Sequence, residues 1–558
     1  MWFSRGRAAT TVVWGILIWG AMAAGGCAQI LGIRVLGEES DEGVGGGGEG
    51  GMGASSSTES ATGSTGAGSS AGGAGGMGSG PTSSGSGSSG SGGWGSGGWG
   101  GSGGAEQCSD CTGSSWNQVL SGMKQQVVND VAVDKLGNIV FVGSFSGSSN
   151  FKGSCPPAVA ASCPMETAGN QDVYIVKLDK TGAPLWVKHA GDAGNGQEAL
   201  AVATDSGGNI LVAGRFKEGS IDFGLGPLTN ASVTAFDIFI AKFDPDGACI
   251  WSKKFGDGAD QSVRNLAVDS SDNVLLVGDF LGTLDFGANP MSAGTGTDVF
   301  VAKLDLGGQA LWSKQYGNTS NLFGFGIAVD AGGDVVITGQ CNGVLDLGGG
   351  SVDCGTMYGD IFVAKLKSTG TYAWSKRFGN ESAISEGRAV AVDGAGNVLI
   401  TGRYGADLNF MTGDSPVVMN AGSDDTYISK LAGSTGDPLW SRAFAGPMNQ
   451  LPTSIVIDLN KDIVITGSLS GSAKFGDATT LTSSGGNDIF VLKYSAGGDA
   501  LCGINYGDLF SQAGTSLAVS SSGEVILGAN MSGSVDLLCS PAVLSADQND
   551  ALIAPLKL

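Results

Sequence analysis

The stretches Asp298-Val-Phe-Val-Ala-Lys-Leu304 and Asp360-Ile-Phe-Val-Ala-Lys-Leu366 are nearly identical, and they decide the fold. An Asp that opens a strand-like run of this kind recurs seven times, and the last copy is the weakest. Successive copies lie 61 to 65 residues apart and start at Asp172, Asp237, Asp298, Asp360, Asp425, Asp488 and Asp550. Self-similarity at a nearly fixed period predicts a repeat architecture.

Two further marker residues recur in each unit. The first is an Asp that ends a short apolar run such as Ala-Val-Asp, and Ser520 replaces it in the last unit. These residues are Asp134, Asp205, Asp269, Asp330, Asp393 and Asp458. The second is a Trp, which Cys502 replaces in the sixth unit. These residues are Trp116, Trp186, Trp251, Trp312, Trp374 and Trp440.

The unit at residues 389–445 reads as four short strands. Apolar runs at 389–393 and 398–402 flank a Gly/Asn turn, and a second pair at 426–431 and 439–444 flanks a Ser-Thr-Gly turn. Short strands at even spacing, without helical periodicity, are typical of β-propeller blades. We therefore predict an all-β fold, a seven-bladed β-propeller with four-stranded blades.

The two ends of the repeat region complement each other. The segment Trp116-Asn-Gln-Val-Leu120 resembles the last strand of a unit, whereas the seventh unit stops at Leu558 after its third strand. We predict that the N-terminal strand completes the last blade and closes the ring, which removes an open sheet edge. The propeller domain is expected to span residues 108–558.

The repeated pattern also resembles a known group. Ala-Val-Asp-x-x-Gly-Asn, followed by the apolar second strand and by Asp-[Ile/Val]-Phe-[Ile/Val]-x-Lys, is similar to the SBBP-type β-propeller repeat of bacterial lipoproteins. The resemblance covers residues 115–558 and implies a shape and an exported location, not a reaction. Ser520, Pro555 and Cys502 depart from the pattern. A second likeness, of Thr181-Gly-Ala-Pro-Leu-Trp186 to an element of quinoprotein propellers, is interpreted as blade packing.

Residues 1–27 are predicted to be a lipoprotein-type signal peptide. Two Arg residues precede an apolar run, and Ala24-Gly25-Gly26 stands directly before Cys27, the expected lipidation site. The alternatives are cleavage after the Ala-x-Ala motif at 21–23 and an uncleaved anchor helix. We expect attachment to a membrane through the lipid, at the cell envelope, either in the outer membrane or on the cell surface.

Residues 28–107 are predicted to form a disordered linker. They are rich in Gly and Ser, and such a composition buries too little apolar surface to offset the entropy of ordering. A Gly-rich coil over residues 42–105 would have a root-mean-square span of about 40 to 50 Å. The linker would therefore act as a tether.

The charge of the chain restricts its partners. The formal net charge is −23, which argues against nucleic acid as a ligand. We expect a monomer that binds an unknown protein or glycan.

The ten cysteines predict disulfides, because the chain is expected to be exported. Close spacing favours two pairs, Cys155 with Cys163 and Cys341 with Cys354, and either Cys108 or Cys111 is expected to reach Cys539. Cys249 and Cys502 lie in predicted strands and are interpreted as small buried apolar residues.

Few residues are suited to catalysis or metal binding. The repeated Asp, Lys and Trp residues are interpreted as structural, because every blade requires them. His189 is the only His, which excludes multi-His metal sites. We predict no cofactor, with calcium as a weak candidate at Asp458, Asn460 and Asp462, whose oxygens alternate as in a calcium loop.

The variable connections, which emerge on one face, are the expected binding region. The residue five positions before each Asp that ends a first strand is expected at the mouth of the central channel, and it differs between units. Those positions hold Asn129, Leu200, Arg264, Phe325, Arg388, Thr453 and Thr515. Arg264 and Arg388 are candidate ligands for a carboxylate or sugar acid. The alternative is that they pair with neighbouring acids such as Asp260 or Glu386.

The sequence favours a lipid-anchored binding module that acts through its variable-loop face, and it is more consistent with a non-enzyme. The alternative is a polysaccharide hydrolase or lyase at the channel mouth, and a purely structural protein ranks third. A deep channel with two unrepeated carboxylates within reach of Arg264 or Arg388 would favour the enzyme. A flat face of Leu322, Phe323 and Phe325 would favour protein binding.

Overall fold

The computed structural model describes residues 116–558 apart from 123, 152–156, 161–162, 195, 231, 318–320, 380–381, 411–416, 478, 538–542, 545–548 and 557. The predicted signal peptide, Cys27, the linker, Cys108 and Cys111 lie outside the described residues. In the described part no helix is long and apolar enough to cross a membrane.

The chain forms seven four-stranded antiparallel blades in a ring, which confirms the predicted fold. The blades are numbered in the order of their innermost strands, which are Gln126–Val133, Gln197–Thr204, Gln261–Val268, Leu322–Val329, Ser385–Val392, Gln450–Ile457 and Gln512–Val519. The second strands are Ile139–Phe145, Ile210–Phe216, Val274–Phe280, Val335–Cys341, Val398–Tyr404, Ile463–Leu469 and Val525–Met531.

The third strands begin with the repeated Asp. They are Asp172–Leu178, Asp237–Phe243, Asp298–Leu304, Asp360–Leu366, Asp425–Leu431, Asp488–Tyr494 and Asp550–Leu556. The outermost strands of blades 1 to 6 are Pro184–Ala190, Cys249–Phe255, Ala310–Tyr316, Tyr372–Phe378, Pro438–Phe444 and Ala500–Tyr506. The fourth strand of blade 7 is Gln118–Gly122, and its other edge pairs with Ser148–Phe151 from the second-to-third-strand connection of blade 1.

Blade 7 is completed by the N-terminal strand, as predicted. Gln118–Gly122 runs antiparallel to Asp550–Leu556, with Val119 opposite Leu552. The innermost strand of blade 7 lies beside that of blade 1. The chain therefore closes its ring by strand pairing between its two ends.

The hydrophobic core lies between the blades. One cluster joins Val277 and Val301 of blade 3 to Ile337 and Phe362 of blade 4, and similar clusters occur around the ring. The third strand of blade 3 is buried along its whole length. Because each sheet is covered by a neighbour on both faces, these strands are apolar almost throughout instead of alternating.

Each connection between second and third strands contains a short hairpin that was not predicted. The hairpins pair Ser148–Phe151 with Met165–Glu166, Gly219–Ile221 with Leu228–Asn230, Thr283–Leu284 with Met291–Ser292, Val344–Asp346 with Ser351–Asp353, Leu408–Asn409 with Val417–Val418, Ser472–Phe475 with Thr479–Thr482, and Ser534–Val535 with Val543–Leu544. A single 3-10 turn, Pro157–Val159, is described in the first connection.

The hairpins fill the gap between neighbouring blades near the rim. The Phe286 ring of the blade 3 hairpin lies 4.6 Å from that of Phe255 in blade 2 and 5.3 Å from that of Phe300 in blade 3, measured between centroids. The Phe410 ring of the blade 5 connection likewise packs against the rings of Phe378 in blade 4 and Tyr427 in blade 5. Blades diverge towards the rim, so a large apolar wedge is needed there.

The repeated Lys, Asp and Trp residues connect each blade to the next. In blade 3, Lys303 Nζ lies 2.7 Å from Asp269 Oδ2 and donates to the Ser368 carbonyl of blade 4. Trp312 Nε1 donates to that same carbonyl at 3.1 Å. Equivalent Trp bonds occur from blades 1, 2 and 4, and the Lys–Asp pair occurs in blades 1 to 6. Their predicted structural role is confirmed.

The cysteines follow the predictions in part. Cys341 and Cys354 form the predicted disulfide, and Cys163 is disulfide-bonded, while Cys155 and Cys539 lie outside the described residues. Cys249 is a free, half-buried thiol. The interpretation of Cys502 as a simple apolar residue was wrong, because Cys502 is disulfide-bonded.

Candidate binding face

The variable connections emerge together on one face of the ring. This variable-loop face consists of the described parts of two sets of segments. The first is the crossings between blades, at residues 191–196, 256–260, 317–321, 379–384, 445–449 and 507–511, and the second is the segments that precede the third strands. The opposite, short-turn face carries the tight turns that join the other strands. One of these turns, at residues 134–138, is closed by Asp134, whose Oδ1 accepts from the amides of Leu136 and Asn138.

Several crossings are fixed by an Asp that also holds the next hairpin. Asp508 Oδ1 accepts hydrogen bonds from Gln512 Nε2 and from the Phe510 amide, and its Oδ2 accepts from the amide and hydroxyl of Ser534. In the same way, Asp257 accepts hydrogen bonds from the side chains of Gln261 and Thr283. Asp192 accepts hydrogen bonds from the side chains of Gln197 and Ser220. The described parts of these three crossings therefore have a defined conformation, although they are loops.

The seven residues predicted at the channel mouth share one backbone feature. Each is the extra residue of a β-bulge in an innermost strand, because the register with the second strand shifts there. A bulge redirects the side chain of the extra residue out of the normal alternation. These positions are Asn129, Leu200, Arg264, Phe325, Arg388, Thr453 and Thr515.

Two of these side chains bond to a neighbouring blade, and a third is buried. Asn129 Nδ2 donates to the Ala199 carbonyl of blade 2 at 2.7 Å, and Thr453 Oγ1 donates to the Gly514 carbonyl of blade 7 at 2.8 Å. Thr515 is buried. Blade packing already accounts for the orientation of these small residues.

Arg264 pairs with an acid that the sequence did not single out. Its Nε donates to Asp279 Oδ1 at 2.6 Å and its Nη2 to Asp279 Oδ2 at 3.1 Å, a bidentate contact within blade 3. Asp279 raises the pKa of Arg264 in spite of the opposing effect of burial. Asp260, the acid that the sequence suggested, instead accepts a hydrogen bond from the Phe236 amide. This geometry keeps the Arg264 guanidinium charged and aligned.

Arg388 forms a network with Phe325, and its acid partner is Glu386, as one alternative anticipated. Nε of Arg388 donates to Glu386 Oε1, which also accepts from Arg403 Nε at 2.6 Å. Burial by itself would raise the pKa of Glu386, but Arg388 and Arg403 hold it below its ordinary value. The Arg388 guanidinium also lies 5.5 Å from the centroid of the Phe325 ring.

The flat face that would favour protein binding is present only in part. Phe323 and Phe325 are half-buried and stack with centroids 6.1 Å apart. Leu322 is fully buried and packs in the core between blades 3 and 4, so it does not contribute to a surface.

A second apolar surface lies further out on the same face. Large apolar side chains are exposed at the crossings and adjacent segments of blades 4 to 7, and Leu225 and Val233 are exposed between the second and third strands of blade 2. The described parts of the crossings after blades 1 and 2 present only Ala193 and Ala259. We call the set in blades 4 to 7 the apolar arc, and it comprises Met357, Ile384, Met419, Met448, Leu509 and Phe510.

The weak calcium candidate uses its oxygens within the protein. Lys493 Nζ lies 2.9 Å from Asp458 Oδ2 and 3.3 Å from Asp462 Oδ2, and Asp458 Oδ1 accepts from the Asn460 amide. No group of three or more His, Cys, Asp or Glu side chains is arranged for a metal within the described residues. Calcium at this turn stays a prediction from spacing.

Two features of the face were missed from the sequence although signals exist. The hairpin wedge is marked by an apolar-Asp-Phe-Gly motif at residues 221–224 and 284–287. The Asp that fixes a crossing is marked by Gly-Asp and a Gln four or five residues later, as in Asp257 with Gln261 and Asp508 with Gln512.

Comparison with known proteins supports the repeat architecture. The β-propeller repeat family model, SBBP, matches residues 373–403, which span the outermost strand of blade 4 to the second strand of blade 5. An uncharacterized WD repeat-containing protein of Acanthamoeba polyphaga mimivirus is 22% identical over 469 residues, 69% of this chain and 34% of that protein. Regulatory protein FlaEY of Caulobacter vibrioides is 28% identical over 221 residues, 38% of this chain and 22% of that protein. The chain thus matches only about a third or less of these relatives.

Solved structures align over much of the chain at low similarity. A mitotic checkpoint complex chain is 12% identical with a TM-score of 0.40, covering 79% of this chain and 94% of that chain. A quinohemoprotein alcohol dehydrogenase from Pseudomonas putida HK5 is 10% identical with a TM-score of 0.36, covering 80% and 77%. TM-scores this low say nothing about function. From its repeats and its blades, the chain is a β-propeller repeat protein with seven blades.

Proposed function

We propose that this protein is a binding module that recognises a protein partner through its variable-loop face. The observation that carries the proposal is the apolar arc. Leu509 and Phe510 are 77% and 61% exposed, and Met448 is 53% exposed, on loops held by specific hydrogen bonds. Leu509 and Phe510 are neighbours in the chain and present adjoining apolar surface, and exposed apolar patches mark interaction sites.

The two carboxylates that pair with Arg264 and Arg388 favour binding over the alternative of a polysaccharide hydrolase or lyase. Such an enzyme needs a carboxyl group that can give or take a proton during the reaction. Arg388 and Arg403 hold the pKa of Glu386 low, and Asp279 is engaged by both donors of Arg264. A carboxylate neutralised by an Arg is a poor general acid.

Glycan binding is the second candidate, and the contact between Arg388 and Phe325 favours it. An aromatic ring next to a guanidinium offers an apolar face and a charged donor to an acidic sugar. A glycan array probed with wild type and with Arg388→Ala tests this candidate. Glycans that bind wild type but not the variant would support this candidate, and an array without such glycans would contradict it.

The proposal includes a location. We expect residues 1–27 to be a signal peptide ending at Cys27 and residues 28–107 to be a Gly/Ser-rich tether. A tethered module at the cell envelope, in the outer membrane or on the cell surface, would reach a partner at some distance from its anchor.

Site-specific photo-crosslinking tests the proposed face. A photoreactive residue is placed at Leu509, or as a control at Leu136, which is 70% exposed in a tight turn of the opposite face. We expect the full chain, produced in its source cells, to give a discrete crosslinked adduct from position 509 and none from position 136. Equal adducts from positions 509 and 136 would contradict the proposal. The absence of an adduct from position 509, and also from photoreactive residues placed at Met448 and Met419, would contradict it as well.

A further inference from the structure

We infer that the apolar arc is the docking site for a protein segment that carries an apolar side chain flanked by basic residues. The inference rests on the proposed function and names the part of the face and the chemistry of the partner. Its grounds are the fixed geometry of the arc and the sign of the charges around it.

Phe510 is held from both sides before any partner binds. Its amide donates to Asp508 Oδ1 at 2.9 Å, while Asp508 Oδ2 accepts from the Ser534 amide at 2.7 Å. A β-carbon added at Gly533 would lie 2.6 Å from Phe510 Cδ2, so the blade 7 hairpin backs directly onto the ring. An exposed ring in a fixed position loses little entropy when it binds.

Met448 is supported in a similar way at the preceding crossing, between blades 5 and 6. Asn449 Oδ1 accepts from the Ser423 hydroxyl and from the Asp424 amide, which links the crossing to blade 5. A β-carbon at Gly471 would lie 2.9 Å from Met448 Sδ, so the blade 6 hairpin lies against the side chain. A Met thioether adapts to varied apolar partners.

The crossings and loops around these anchors are acidic. In the described parts of residues 405–424, 445–449, 470–487, 507–511 and 532–549, the charged side chains are five acids and one base. They are Asp407, Asp424, Asp477, Asp508 and Asp536, and Lys474. The whole chain has a net charge of −23, which adds to the local field. Complementary charge favours a partner with Lys or Arg next to its apolar residue, and it disfavours anionic lipids and acidic sugars at this site.

Selection of random peptides tests both parts of the inference. The immobilised full chain is used to enrich a displayed library of random 12-residue peptides. We expect the enriched peptides to share an aromatic or aliphatic residue flanked by Lys or Arg. Their affinity, measured by fluorescence anisotropy, should fall at least tenfold in the double variant Leu509→Ser/Phe510→Ser. The matched control Leu136→Ser should leave it unchanged.

The charge component has its own variant. Asp477 and Asp536 are exposed, so Asp477→Lys/Asp536→Lys should weaken binding about fivefold, and wild-type affinity should fall as salt rises. Enrichment of acidic peptides, or full binding by this variant, would overturn the assignment of a basic partner.

The failure of the inference can be separated from that of the proposed function. If peptides bind the Leu509→Ser/Phe510→Ser variant fully but lose affinity with Phe325→Ala, the docking site lies at the channel mouth, and only the inference fails. If no peptide is enriched, or if none depends on any variable-loop residue, both fail. Circular dichroism of each variant shows that a loss of binding is not a loss of fold.

Discussion

Lys303 Nζ lies 2.7 Å from Asp269 Oδ2 inside the propeller, where both side chains are almost completely buried. Lys303 belongs to the third strand of blade 3 and Asp269 directly follows its innermost strand, and the Lys also bonds to blade 4. Six blades contain this pair. In blade 7, Ser520 and Pro555 occupy the two positions, so both charges are missing together. A single missing charge would leave its buried partner without compensation.

We expect Lys303→Met to destabilise the protein by about 3 to 5 kcal/mol, because Asp269 would stay buried without its counter-ion. The double variant Lys303→Met/Asp269→Ser should cost less than the sum of its two single variants, as the pair in blade 7 suggests. Urea denaturation followed by Trp fluorescence measures the free energies. Strictly additive costs would show that the two charges do not stabilise each other.

The hairpin wedge gives a second prediction. Phe286→Ala removes a buried ring between blades 2 and 3 and should cost about 3 to 5 kcal/mol. Phe510→Ala removes an exposed ring of the same size and should change stability by less than about 0.5 kcal/mol. Denaturation of both variants under one condition makes the comparison. A similar cost for the two would mean that Phe510 also supports the fold.

The fold could be predicted because the markers repeat, but pairwise contacts could not. The Lys and Asp of a blade are separated by more than thirty residues in the chain, so their pairing follows only from the folded sheet. The hairpins escaped prediction because strands of two to four residues are too short to show an alternation. Their Phe wedge was nevertheless visible as a repeated apolar-Asp-Phe-Gly motif.

The site was predicted less completely than the fold. The seven channel-mouth positions were found by their variability, but the bulge that orients them is a one-residue change of register that leaves no sequence pattern. It places Arg264 beside Asp279, fifteen residues further along the chain. The exposure of Leu509 and Phe510 depends on the loop conformation that Asp508 fixes.

The predicted lipid anchor can be tested at Cys27. Cys27→Ser should abolish incorporation of a radiolabelled fatty acid and release the protein from the membrane fraction, because the thiol is the expected acceptor. Cys249→Ser changes a thiol that is free in the fold and should keep the label. Full labelling of Cys27→Ser would favour another attachment site, and membrane retention without label would favour the uncleaved helix.

Asp130 gives a prediction about pH. It follows the bulge of blade 1, and its carboxylate accepts from the Ser516 hydroxyl of blade 7 and the Val202 amide of blade 2. Burial raises the pKa of Asp130 to about 6 despite these hydrogen bonds. A folded-state pKa above the unfolded value gives a stabilising contribution at low pH, which is lost as the pH rises through 6.

The free energy of unfolding of wild type, relative to Asp130→Asn, should therefore fall by about 1 kcal/mol between pH 5 and pH 7. Urea denaturation of both proteins across this range measures the difference, and carbon-13 NMR of labelled Asp side chains should show a carboxyl group that titrates near pH 6. The comparison with Asp130→Asn removes the contributions of all other acids. A difference that stays constant over this range would mean that the folded environment leaves the Asp130 carboxyl ionised at pH 5, and the bonds from Ser516 and Val202 would then outweigh burial.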